Sequence, residues 1–313
     1  MSTIYALLDV LYRQAGVNSK TGWGLWGDEV YTIYPDGVGI RHVLPGKGGW
    51  QETIFLNEPG TKPEDNCELK AITLVNIEGE SQTYSWEHGY PKFDLPDPII
   101  QMTNLKSQYR PFMIFRPGSD MAVFNVEVRP EYSHFPWWNH WPVAQVVSDG
   151  RHAQSADRAS HSSLVWGGPI DDVALYGMTK SPAVSLLPLA KSWIYPAKLI
   201  PVGGTPQGTN PNKFTNEGYD YKQRAYVINC KVPGSRLKFK LAGSENSPVV
   251  NPAFVVKNWG KADAVLKIDG KKIRRGKSLR FGQRYRLEGS DLIVWIKAHS
   301  AKPIEFLISP AAK

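Results

Sequence analysis

The sequence predicts an all-β protein: a large antiparallel β-sandwich domain followed by a smaller β-sandwich. Three observations carry that expectation. Gly (28) and Pro (24) are abundant beside 12% aromatic residues, which suits short strands joined by turns. Alternating or apolar pieces of strand length recur along the chain, with turn chemistry between them. No strand–helix alternation of the βαβ kind accompanies them. At 313 residues with 42% hydrophobic composition, the chain can bury a sizeable core.

The first segment, residues 2–15, reads two ways. Ile4, Leu7, Leu8 and Leu11 share a helical face, yet Ile4-Tyr5 and Val10-Leu11-Tyr12 also suit a strand. Glu29 to His42 is a hairpin whose β-branched and aromatic residues flank a Pro35-Asp36-Gly37 turn. Strands are expected over Trp50–Leu56, Leu69–Ile77, Gln82–Trp86, Ile99–Met102, Pro111–Phe115, Met121–Val128 and Asp171–Met178. Ser181 to Trp193 reads as a Pro-interrupted helical turn. Gly- and Pro-rich residues 201–216 form a linker, which divides a domain over 1–200 from one over 217–313. The second domain repeats strand-length pieces, with a hairpin at Ile268-Asp269-Gly270-Lys271.

Charge is uneven. The net charge is +8, and from residue 251 onward fourteen basic residues stand against five acidic ones. Such a surplus attracts polyanions, or it guards a solvated sheet face against edge pairing. No run of about 18 apolar residues exists to cross a membrane as a helix. Asp9 and Arg13 break the only apolar segment near the start, so the layout of a signal peptide is missing. Cys67 and Cys230 lie far apart in sequence and make neither a disulfide framework nor a metal spacing. Two buried free thiols are expected.

The phosphate-loop, dinucleotide, G-x-S-x-G and H-E-x-x-H motifs are all missing, which disfavours nucleotide-dependent chemistry. Residues 132–166 stand out instead. Four of the seven histidines and four of the eleven tryptophans fall there, with Arg151, Arg158, Asp149, Asp157 and Asn139. Polar residues in that density are costly to bury unpaired. Trp137, Trp138 and Trp141 offer flat apolar faces to sugar rings, with Asn139 and His140 as hydrogen-bonding neighbours. The alternative is that some of these tryptophans fill the sandwich core.

Cleavage of a uronate polysaccharide by β-elimination needs a carboxylate neutraliser, a base for the C5 proton and an acid for the leaving oxygen. His140, His161, Arg158 and Tyr176 are the candidate catalytic residues; Trp137, Trp138, Asn139, Trp141, Arg151 and His152 are the candidate substrate-binding residues. Hydrolysis needs two flanking carboxylates. The adjacent Asp171-Asp172 would point to opposite faces of a strand. No recognised metal spacing occurs among His134, His140, His152 and His161, so no metal site is assigned and no cofactor is called for, although a divalent cation can be built from any loop spacing.

The runs W-G-D-E-V-Y-T-I-Y-P-D-G-V-G-I-R, N-E-P-G-T-K-P-E-D-N, W-P-V-A-Q-V-V-S-D-G-R, D-R-A-S-H-S-S-L-V-W and N-P-A-F-V-V-K-N-W-G-K-A-D-A-V-L-K-I-D-G-K resemble a group of large bacterial β-sandwich proteins. That group looks like polysaccharide lyases of the ulvan type. The resemblance implies an extracellular or periplasmic setting and an acidic polysaccharide as partner, with neither nucleic acid nor membrane. It also implies a longer protein, with more of the first sandwich ahead of Gly22-Trp23-Gly24, so that Ile4 to Tyr12 is an edge strand rather than a helix. Two other readings stay open: a non-catalytic polysaccharide-binding protein, and a catalytically incomplete fragment.

Overall fold

The structure is a computed structural model that describes residues 6–13, 20, 26–43, 51–59, 61, 63–88, 91–123, 134–136, 160–202 and 214–311. Two compact units emerge. One holds Leu8–Tyr31 and Gly39–Leu187, and the other holds Thr32–Val38 with Pro188–Lys313. The division falls ahead of the expected boundary at residue 200. The reason lies in β-pairing described below, which draws residues 199–201 into a C-terminal sheet. Among the described residues no helix is long and apolar enough to cross a membrane.

The N-terminal unit contains β1 (Ala6–Arg13), β2 (Trp26–Ile33), β3 (Gly39–Val43), β4 (Gln51–Asn57), the single turn α1 (Pro63–Asn66), β5 (Cys67–Asn76) and β6 (Ser81–Tyr84). It continues with β7 (Pro98–Leu105), β8 (Arg110–Ile114), β9 (Asp120–Val123), β10 (His134–Pro136), β11 (Ser160–Gly168) and β12 (Val173–Thr179). Eight strands form one sheet in the order β1-β2-β3-β12-β8-β7-β5-β6. A second sheet runs β10-β11-β4, with β9 also paired to β11. Residues 6–13 are therefore strand, not helix, and they stand at the end of the sheet order.

Apolar residues hold the two sheets together. Phe55 from β4 packs with Cys67, Ala71, Ile72, Leu74 and Tyr84 of the large sheet. Met121 from β9 reaches the Met113–Phe115–Ala174 cluster. At Gly167 the approach is so close that a Cβ would stand 2.6 Å from the Phe115 ring, which requires glycine there.

The C-terminal unit begins with α2 (Leu187–Ile194), where Pro188 sits in the first turn, the place a helix tolerates it. Strands β13 (Leu199–Pro201), β14 (Phe214–Asp220), β15 (Ala225–Cys230), β16 (Leu237–Leu241), β17 (Val249–Val250) and β18 (Ala253–Lys257) follow. After them come β19 (Ala264–Ile268), β20 (Lys271–Ile273), β21 (Leu279–Arg286), β22 (Gly289–Ile296), β23 (His299–Ser300) and β24 (Ile304–Pro310). One five-stranded sheet is ordered β13-β16-β24-β19-β20 and the other β14-β15-β18-β22-β21. The pairing of β13 with β16 and the start of β14 at Phe214 take both ends out of the expected 201–216 linker. Its middle lies outside the described residues.

Between these sheets Phe214, Phe239, Phe254 and Phe306 form an aromatic centre, with the Phe239 and Phe254 ring centroids 5.0 Å apart. Such a core stabilises by removing large apolar areas from water. Within these two sheets the described pairings are antiparallel except between β15 and β18, which run parallel. The chain makes that crossover through β16 in the opposite sheet. The turn between β19 and β20 has φ +45° at Asp269 and +79° at Gly270, the double positive φ that Asp-Gly supplies cheaply. Cys67 and Cys230 are both buried and free, and burial pushes their thiols up to about 12 and about 11.

Candidate functional site

Most of the residues singled out by sequence fall outside the described part of the chain. These are His140, Arg158, Trp137, Trp138, Asn139, Trp141, Arg151 and His152. Two lie in described strands. His161 is on β11, in register with Phe135 of β10 and Leu56 of β4. Tyr176 is on β12, opposite Gly39 of β3 and Met113 of β8.

Tyr176 belongs to a polar cluster on the inner face of the eight-stranded sheet. Its hydroxyl donates to Oε1 of Gln51 at 2.7 Å. Arg41 Nη1 donates to the same oxygen at 2.9 Å. Gln51 is fully buried on β4, and its Nε2 faces the Asp172 carbonyl at 3.5 Å, the long limit of a hydrogen bond. The local sequence explains the convergence. Arg41 lies opposite Ala174, two residues before Tyr176 on β12, so period-2 alternation puts both on one face. Ala174 and Tyr176 pack with Met113 and Phe115, whose apolar surfaces exclude water from one side of the cluster.

Electrostatics fix the protonation state. Burial raises the Tyr176 phenol well above its usual range, and the nearby Arg41 charge offsets only part of that. Tyr176 is thus a neutral hydroxyl at ordinary pH. It can give a proton or a hydrogen bond and is a poor base. Arg41 supplies the positive charge that a carboxylate or an oxyanion would seek.

The polar stripe extends along the sheet. Met113 lies opposite both Tyr176 and Gln101. Gln101 is 1% exposed, and neither its amide nitrogen nor its oxygen has a partner among the described residues; the Thr103 hydroxyl shares that lack. Orphaned amides are rare in folded interiors, so the inner face of this sheet is unusually polar.

The strand register does not bring His161 and Tyr176 together. Gly167 pairs with Gln51 and His161 with Leu56, so position 161 lies five residues along β4 from the residue Tyr176 bonds. At about 3.4 Å per residue that is roughly 17 Å of strand. Arg41 and Gln51 were not candidates from sequence. Each reads as an ordinary polar residue of a half-buried strand, and only cross-strand register shows that they meet.

Among the described residues no three His, Cys, Asp or Glu side chains converge in a way that could hold a metal ion. No family model, curated protein or solved structure matches the chain.

Proposed function

We propose that this chain is a carbohydrate-active protein of the polysaccharide-lyase kind, acting on a uronate-containing polysaccharide by β-elimination. The observation that supports this reading most directly is the pairing of a cation and a neutral phenol on one amide oxygen. Arg41 and Tyr176 are both held by Gln51 Oε1. In the proposed reaction Arg41, positioned by Gln51, neutralises the uronate carboxylate, which makes the C5 proton removable. Tyr176 donates its proton to the departing glycosidic oxygen. The C5–H electrons form the C4–C5 double bond as the C4–O bond breaks. The proton goes to a base drawn from the histidines of residues 132–166, with His140 the first candidate.

A non-catalytic polysaccharide-binding protein is the second reading. One observation favours it: the Tyr176 hydroxyl is already engaged by Gln51.

The product of elimination is an unsaturated uronate that absorbs in the ultraviolet, so absorbance on a panel of polyuronates separates the two. Tyr176→Phe removes the proton and keeps the ring, and a loss of about 10²–10⁴ in kcat is expected for a general acid. Because burial raises Tyr176, kcat/KM should also not decline through the ordinary tyrosine range near pH ~10. Retardation in a polysaccharide affinity gel without any absorbance change would establish the binding reading instead.

A further inference from the structure

The C-terminal surplus of positive charge has a definite address. On the sheet ordered β13-β16-β24-β19-β20, the inward residues are Leu237, Phe239 and Leu241 of β16, Ile304, Phe306 and Ile308 of β24, and Leu266 of β19. Alternation turns Lys238, Lys240, Glu305, Leu307 and Lys267 outward. Register then lines them up: Lys238 lies opposite Leu307, Leu307 opposite Lys267, and Lys267 opposite Lys272. One row across four adjacent strands therefore carries three lysines. At about 4.8 Å between strands it spans roughly 14 Å.

Lys240 stands beside this row, opposite Ile200 on one side and Glu305 on the other. Glu305 is the single carboxylate among these outward positions, and it pairs with Lys238 at 3.1 Å. Lys240, Lys267 and Lys272 are exposed and have no ion pair among the described residues. Like charges held side by side on a sheet cost stability, so a row in which only Lys238 is paired invites a polyanionic partner.

We infer that this flat lysine face is a docking surface for an acidic polysaccharide, distinct from the Arg41–Gln51–Tyr176 cluster. The inference rests on the proposed function for the chemical class of its ligand. Three features favour a glycan over nucleic acid. The named outward residues include no aromatic ring on which a base could stack. They include no arginine, the side chain whose fork matches phosphate and guanine edges. No loop or helix is needed to enter a groove, since the cations lie on the sheet plane itself. Lysines spaced as point charges suit carboxylates or sulfates strung along a chain, and Leu307 and Ile200 give the apolar ring faces something to lie on.

The test compares two charge-reversed double variants of the full chain. Lys267→Glu/Lys272→Glu alters the row, whereas Lys222→Glu/Lys261→Glu makes the same change in net charge at exposed positions off it. Both should keep the circular-dichroism melt of the parent. In about 0.1 M salt, affinity for a polyuronate should fall about tenfold or more in the first variant and change little in the second. At about 1 M salt, with a screening length near 3 Å, parent and variant should converge. Equal weakening in both variants would show that bulk charge alone attracts the glycan and would overturn the assignment. Tighter binding of a DNA duplex or single strand than of the polyuronate would overturn it as well. The readout needs no turnover: binding lost in the first variant with no ultraviolet product leaves this surface standing while the lyase reading fails.

Discussion

The two sheets of the C-terminal unit carry similar basic residues and use them in opposite ways. On the β14-β15-β18-β22-β21 sheet Lys257, Arg284 and Arg286 are each tied to an acid. Arg284 and Arg286 hold Asp291, which is 1% exposed, at 3.0 and 2.8 Å. Lys257 holds Glu217 at 2.7 Å. Asn229 donates to Glu217, Asn258 donates to Asn229, and Arg286 donates to Asn258, which closes the gap between the two ion pairs. Arg284 also donates to Gln223, whose backbone carbonyl accepts the Tyr34 hydroxyl. This polar belt borders the cluster that Ala225, Val227, Ala253, Val255, Ile293 and Trp295 of the same sheet form with Tyr34. On the lysine sheet Lys240, Lys267 and Lys272 are exposed and have no ion pair among the described residues. Net charge from sequence cannot tell these apart. Burial of the partner acid decides whether a basic residue is structural or free to meet a ligand.

Arg224 carries the largest expected effect on stability. This residue is 4% exposed, lies at φ +49°, and reaches Asp36 at 2.6 Å in the tip of the β2–β3 hairpin. Asn251 also donates to Asp36, and Arg224 stands over the Tyr34 ring at 5.2 Å. Removing the guanidinium leaves a nearly buried carboxylate with only two neutral donors, Asn251 Nδ2 and the Val38 N–H. Arg224→Ala should cost about 3–5 kcal/mol in chemical denaturation. Asp291→Ala should cost less, about 2–3 kcal/mol, because Arg284 and Arg286 are 28% and 39% exposed and can turn to water. If either change is silent in a urea melt, the belt is not structural and the contrast with the lysine sheet collapses.

The cores themselves respond to base. Both thiols are raised by burial, toward about 12 for Cys67 and about 11 for Cys230, from a usual value of 9.0. Above pH ~9 the unfolded chain releases thiol protons that the folded chain retains, so stability falls as pH rises. The slope is at most about 1.4 kcal/mol per pH unit per thiol. Denaturation followed between pH 8 and 11 should show this decline, and Cys67→Ser/Cys230→Ser should flatten it. A disulfide reagent should find both thiols unreactive in the native protein at neutral pH and reactive after unfolding. Rapid native labelling would contradict the burial.

How much of this was legible in the sequence depended on the range of the interaction. Pro35-Asp36-Gly37 and Asp269-Gly270 announce their turns because positive φ is a local demand. The apolar strands from Leu69, Ile99, Leu237, Ala253 and Leu292 announce themselves by pattern. Strand β14, Phe-Thr-Asn-Glu-Gly-Tyr-Asp, does not; it is a polar edge strand with a register shift at Asn216–Gly218. The parallel contact of β15 with β18 is equally silent, since nothing local records which strands become neighbours. Tyr176 could be named from its chemistry. Arg41 and Gln51 could not, because their meeting depends on two sheets packing. The His- and Trp-rich stretch that drew attention first is described only at His134–Pro136 and from Ser160 onward.

The smallest effect is expected at the exposed lysines. Lys267→Ala and Lys272→Ala remove exposed cations that lie opposite one another on adjacent strands. A side chain kept for folding would cost stability on removal, as on the neighbouring sheet. A row of like charges kept for a ligand should cost nothing, and cross-strand repulsion predicts a slight gain. Each single variant should therefore melt within about 0.5 kcal/mol of the parent, on the stabilised side if any. A loss of more than about 1 kcal/mol would mean that the long methylene stems cover apolar surface near Leu307, and that packing rather than charge keeps lysine there. Substituting Met at the same positions separates the two, since it preserves the stem and removes the charge. Stability restored by Met would assign the lysines to the fold; stability unchanged throughout leaves their charge to the ligand.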